Sequence, residues 1–216
     1  MADRSAFATP EGSARLTATR LAWHAVAEWL LAGPQYRDQG TIRLRVDDGG
    51  FATRDGAVRV KQDRLVLADG RAVPLSGTLA DVAAEAGIAG GAPESLYTDT
   101  SGATPQLEIN IDLEAADALA DWMNRGVMAL TMFAPGEEPV LWPEHFDVGF
   151  SVGEVNFGIS PGDAHLSSPY AYVGPWQPRQ GAFWNESFGA SRTWTELADE
   201  ASVVEFFAAG RTAAGG

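Results

Sequence analysis

The stretch DVGFSVGEVNFGIS, residues 147–160, restricts the fold more than any other part of the chain. Apolar and polar positions alternate along it, and Gly153-Glu154 sits at its centre as a two-residue turn. Folding back there pairs Val152 with Val155, Phe150 with Phe157 and Val148 with Ile159, which makes one face wholly apolar. A slip of one residue would turn all six side chains to water, so matching across the strands sets the register. One face of this hairpin is core.

The opposite face pairs Ser151 with Asn156, Gly149 with Gly158 and Asp147 with Ser160, and sets His145 near Gly162. Two opposed glycines leave bare backbone in mid-sheet, open either to another part of the same protein or to a ligand. Ser160-Pro161-Gly162-Asp163 reads as a type II turn that returns Asp163 and His165 toward His145 and Asp147, with Glu144 beside them. His145, Asp147 and Asp163 are thus the candidate catalytic groups, with the Asp147 carboxylate orienting the imidazole and raising its pKa. If a divalent metal binds, His145, Asp147, Asp163 and His165 are its candidate ligands, although no tightly spaced metal motif is present. No cofactor is indicated.

Residues 169–188, PYAYVGPWQPRQGAFWNESF, follow. Tyr170 and Tyr172 share one face of a strand, while Trp176, Phe183 and Trp184 fall in the loop beyond. Gly149, Gly158, Asn156, Tyr170, Tyr172, Trp176 and Trp184 make up the candidate ligand-binding wall, with Arg179, Asn185 and Glu186 as orienting polar groups. The competing reading is a loop stapled to its own core by these rings.

Before the hairpin, helical spacing runs from Arg15 to Ala32, with Gly33-Pro34 as its stop. His24, with Arg20 and Glu28 at i−4 and i+4, reads as an ordinary polar face of that helix. An antiparallel meander spans 41–75. A short helix opens at Thr78 and stops at Gly87, and Gly87–Thr104 is an irregular excursion suited to a lid or an internal boundary. LEINI, residues 107–111, reads as a strand. A helix capped by Asp112 runs to Phe133, a second antiparallel set follows, and a last helix spans Thr195–Ala209. The expected class is α+β: an antiparallel sheet built from two helix-plus-meander halves, with the helices packed on one side. Residues 14–210 form one globular domain, divisible into halves at 15–88 and 105–210, with loose tails at 1–13 and 211–216.

Charge narrows the partners. The net charge is −14, and residues 72–178 hold fifteen Asp/Glu against one base, Arg125. Nucleic acid and anionic membrane are repelled by such a segment, whereas a cation is attracted. The absence of cysteine excludes disulfides and thiolate chemistry, and no apolar run has transmembrane length, so a soluble cytoplasmic protein is expected. Phosphate-binding glycine loops and G-x-S-x-G are absent.

LWPEHFDVGF, NFGISPGD, PYAYVGPW and FWN, in this order, resemble a family of uncharacterised actinobacterial proteins, and more distantly a larger domain-of-unknown-function family. The resemblance spans about residues 15–208 and implies a shared fold without an activity. In the larger family the histidine of PEHFD is replaceable, which argues against His145 as an obligatory group. The functional expectation is a small-molecule-binding protein or enzyme with a pocket between the 145–163 hairpin and the 169–188 aromatic loop. An acidic interaction module or oligomer, and a metal-dependent hydrolase or lyase, are the alternatives.

Overall fold

Thr9 starts the first helix earlier than its apolar stripe suggests. Its side chain accepts from the Gly12 amide and Pro10 fills the first turn, so α1 runs Pro10–Val26. Residues 4–13, expected to be loose, contain a 3₁₀ turn (Arg4–Ala8) with Phe7 buried. Gly33-Pro34 does not end the helix either. A π-helical turn (Ala27–Ala32), in which the Gly33 amide reaches back to the Glu28 carbonyl, passes the chain into α2 (Gly33–Gln39). Pro34 then sits in a first turn, where its missing N–H costs nothing, and Gly40 at φ 70° makes the stop.

The computed structural model describes residues 4–93, 96, 97 and 100–215. The chain divides into two compact units, residues 1–121 with 141–146 and residues 122–140 with 147–216. In the first unit, β1 (Leu44–Asp47), β2 (Gly50–Thr53), β3 (Arg59–Lys61), β4 (Arg64–Val66) and β5 (Ala72–Pro74) form the expected antiparallel meander. β6 (Gly77–Thr78) leads into α3 (Leu79–Ala86), opened by a Thr78/Asp81 capping box and closed by Gly87 at φ 73°. The LEINI strand shrinks to β7 (Glu108–Ile109), which pairs with β6. Asp112 accepts from the Ala115 amide at 2.9 Å and opens α4 (Leu113–Phe133). From β8 (Val140–Trp142), Leu141 lies opposite Leu44. Trp23, Phe51 and Phe146 form the aromatic centre of this unit, meeting edge to face at 5.6 and 5.3 Å.

The second unit carries β9 (Asp147–Val152), β10 (Val155–Ser160), β11 (Tyr170–Pro175) and β12 (Ala190–Thr193) as a second meander, followed by α5 (Glu200–Ala213). The β9–β10 register is the one the sequence dictates: Val152 opposite Val155, Phe150 opposite Phe157, Gly149 opposite Gly158. Phe157, Phe133 of α4 and Phe207 of α5 pack together, their ring centroids 4.7–5.9 Å apart. Glycines bring both helices close to this sheet face: a Cβ at Gly126 would lie 2.2 Å from Ile159, and one at Gly210 would lie 2.7 Å from Val173. α5 begins at Glu200, not Thr195, because Asp199 and Ser202 cap each other there, and it continues to Ala213.

These elements make the fold α+β with antiparallel sheet. The division between units falls inside α4, between Asp121 and Trp122, and not in the Gly87–Thr104 excursion. Of that excursion, Glu94, Ser95, Thr98 and Asp99 lie outside the described residues. No helix among the described residues is long and apolar enough to cross a membrane.

Candidate functional site

In the second unit the glycine-notched face is covered by the chain itself. β11 places Tyr172 opposite Gly158, which is opposite Gly149, so the three residues form a row across three strands. A Cβ at Gly158 would lie 2.5 Å from the Tyr172 ring, and one at Gly149 would lie 2.9 Å from its hydroxyl. The glycines make room for that ring, and its hydroxyl donates to Asp147 Oδ2. Tyr170 repeats the arrangement: its hydroxyl donates to Asp163 Oδ2 at 2.5 Å. Burial, then the Asp163 carboxylate, pushes the Tyr170 phenol well above its ordinary range, so it stays a neutral donor.

Asp163 is further committed to its own loop, where Oδ1 accepts from the His165 and Leu166 amides, each at 2.7 Å. The His165 ring turns to Glu186, with Nε2 3.0 Å from Oε2, and Glu186 Oε1 accepts from Ser191 Oγ at 2.9 Å. The His165 hydrogen bond holds the Glu186 carboxyl below its ordinary range. Asp147, Asp163 and His165 of the second unit therefore each have a partner of another residue type. Among the described residues, no three His, Cys, Asp or Glu side chains converge as metal ligands.

His145 belongs to the first unit and is exposed. The expected alternation places it on the strand with Asp147, but the chain turns through Pro143–Phe146 and β9 starts only at Asp147. Phe146 causes the break: it is buried and left-handed at φ 52°, its ring stacked on His24 at 5.5 Å.

The aromatic loop divides. Phe183 stacks on Phe206 of α5 at 5.5 Å and Trp184 meets Phe183 edge-on at 4.9 Å, which staples this part to its own core. Trp176 stays exposed, its indole N–H donating to Asn156 Oδ1 at 3.0 Å. Asn185 closes on the Ser191 backbone at 3.0 Å.

In the first unit, what reads as an ordinary polar face of the first helix is a buried ionisable stripe. Arg20 and Glu28 are buried, and Glu28 has no solvent exposure at all. Glu28 Oε2 accepts from both the amide (3.0 Å) and the hydroxyl of Ser101. The Tyr97 phenol hydrogen-bonds the Glu28 side chain, and Glu144 Oε2 is buried without a hydrogen-bond partner. Burial, then the Glu28 charge and the hydrogen bond to it, with the Glu144 charge as a smaller cause, raises the Tyr97 phenol far above its ordinary range. His24 Nε2 lies 2.8 Å from the Pro143 carbonyl, to which it donates, and burial lowers the imidazole below its ordinary pKa, keeping it neutral. Only the i, i+4, i+8 spacing of Arg20, His24 and Glu28 signals this cluster in the sequence. Its partners are loop residues about seventy or more positions away.

The first unit also holds a cavity of about 280 Å³. Leu30, Leu31, Pro34, Val58 and Ile88 supply apolar wall, and Gln35, Arg37, Asp38 and Asp55 supply polar wall. Most of that polarity is already spent. Gln35 bonds the Thr41 and Arg43 carbonyls and the Arg54 amide, at 2.7–3.0 Å. Arg37 donates to the Ala89 and Gly91 carbonyls. Asp55 takes the Ala57 amide, the Thr53 hydroxyl and the Gln39 amide, which hold its carboxyl below the ordinary range. Asp38 alone among these residues stands exposed at the rim without a described partner.

Comparison with known protein families, with curated proteins and with solved structures finds no match to this chain.

Proposed function

We propose that the protein binds a small molecule with a mainly apolar body, and that it does so in the first-unit cavity. The observation that carries this reading is the preformed space of about 280 Å³ walled by Leu30, Leu31, Pro34, Val58 and Ile88, just below the size range of small-ligand pockets. Because Gln35, Arg37 and Asp55 are satisfied within the protein, a ligand gains little from polar contact with them. Asp38 and the ionised Asp55 favour a ligand whose polar end is a donor or a cation over one bearing a carboxylate or phosphate. The aromatic face of the second unit is the weaker candidate, since Tyr172 fills its glycine notch.

Thermal-shift and tryptophan-fluorescence screening of metabolite pools tests the proposal, with Val58→Trp as the variant that fills the cavity. The wild type is expected to respond to apolar amines or alcohols and the variant to lose that response. A ligand that binds both proteins equally, or no response from any pool, counts against the cavity.

A further inference from the structure

Leu30 and Leu31 line the cavity, yet neither has any solvent exposure. A ligand whose apolar body reaches that floor enters only after a wall has moved. Most of the lining cannot yield without breaking helix or ladder hydrogen bonds, since its residues within 30–39 belong to the π turn and α2 and those within 53–58 to the β2–β3 hairpin. The remaining wall is different. Gly87, Ile88 and Ala89 open the excursion after α3, and residues 88–91 lie in no helix or strand.

Residues 88–91, Ile-Ala-Gly-Gly, lie as a strap along the π turn and α2. Glycines make the fit close: a Cβ at Gly33 would overlap the Gly91 carbonyl, and one at Gly90 would overlap the Trp29 ring. Three hydrogen bonds fasten the strap beyond Ile88. The Gly91 amide donates to the Trp29 carbonyl at 2.9 Å, and the Arg37 guanidinium donates to the Ala89 and Gly91 carbonyls. Two of the three therefore come from one exposed side chain. Apart from the half-buried Ile88 the strap has no large apolar side chain, so burial adds little to its hold. Gly87, at φ 73°, gives it a pivot at the end of α3.

We infer that the strap is the movable wall of the cavity, hinged at Gly87 and latched by Arg37, and that it swings away from α2 to admit a ligand to Leu30 and Leu31. The inference rests on the cavity being the binding site. A guanidinium suits the latch, because its rigid fork of donors holds two carbonyls at once, whereas an ammonium is a single point of contact. Both latch bonds lie at the surface, so water takes their place as the strap leaves and the latch can be remade when it returns. Arg37 is thus a positioning residue: it sets where the wall stands and need not touch the ligand.

The test exploits the absence of cysteine from the chain. Leu31→Cys places a single thiol on the cavity floor, and its reaction with methyl methanethiosulfonate reports when that floor is reached. The reaction is expected to be slow with Arg37 in place and about tenfold faster when Arg37→Ala is added. Arg37→Lys falls between. Val66→Cys, at a half-buried position of β4 outside the cavity, is the control, and its rate is expected to stay the same with Arg37→Ala. Equal rates at Leu31→Cys with and without Arg37 overturn the inference, as does an equal acceleration at Val66→Cys, which marks general loosening. Hydrogen exchange gives a second reading that needs no cysteine. In Arg37→Ala alone the Gly91 amide is expected to exchange about tenfold faster, while the Thr53 amide, bonded to the Val58 carbonyl in the opposite wall, keeps its rate. Unchanged Gly91 exchange overturns the latch. The thiol reports the strap whether or not any metabolite binds, so failure of the strap and failure of the cavity as a ligand site are read separately.

Discussion

Tyr172 lies directly over Gly158, with its hydroxyl on Asp147, and the absence of a side chain at Gly158 is what lets the ring sit flat against the sheet. Removing the ring from this place exposes two glycines and deletes a donor. Tyr172→Ala is expected to cost about 3 kcal/mol of stability in urea titration, and Tyr172→Phe about 1 kcal/mol. The reciprocal change is more damaging. Gly158→Ala puts a methyl 2.5 Å from the ring and 2.6 Å from the Val148 carbonyl, and it is expected to lower the urea midpoint more than Tyr172→Phe does.

Gly126 makes the same argument on the core side. Its missing Cβ lets α4 approach Ile159 of β10. Gly126→Ala gains helix propensity of about 1 kcal/mol, yet it is expected to destabilise because Ile159 must move. Gly126→Ala and Ile159→Ala are expected to be less than additive, because Ile159→Ala removes the Cγ1 that the new methyl meets, and a double-mutant cycle measures this.

The hairpin was legible because six apolar side chains leave a single register in which all of them share one face, four of them buried. The capping residues Thr78, Asp112 and Asp199 were also local signals, although Asp199 is one that the apolar stripe of the last helix obscures. The rest depended on distant partners. Nothing near Gly149 announces that Tyr172 covers it, since that depends on the β10–β11 register across a nine-residue connection. Nor does anything near Glu28 announce Tyr97, Ser101 or Glu144. Gly33-Pro34 misled for a related reason: a π turn makes proline acceptable where an α-helix would end, and a π turn has no composition of its own.

His24 sets a pH dependence. Burial lowers its pKa below the ordinary value of 6.5, so the folded protein binds fewer protons there than the unfolded chain. The stability it contributes is complete above pH 6.5 and is lost as the pH falls through the folded value. Urea titrations at pH 7.5 and pH 5 are expected to show that loss, and His24→Gln, which keeps a donor for the Pro143 carbonyl, is expected to flatten it.

Ser101→Ala removes the hydroxyl from Glu28 but leaves the amide donor. A hydrogen bond to a buried carboxylate is worth about 1.5–3 kcal/mol, so a loss of about 2 kcal/mol is expected in chemical denaturation. An unchanged midpoint would mean that Glu28 is not held by this hydroxyl.

A π turn is an α-helix with one residue inserted, and one residue corresponds to about 100° of rotation. The extra residue between Ala27 and Ala32 therefore sets the angular phase between two sides of one rod. Arg20 and His24 precede it, with Glu28 at its start, and Pro34 and Gln35 follow it, with Leu31 at its end. Excising a single alanine here would leave the composition nearly untouched and turn the cavity wall by a quarter revolution against the acid, so the two features share one indel as their common adjustment.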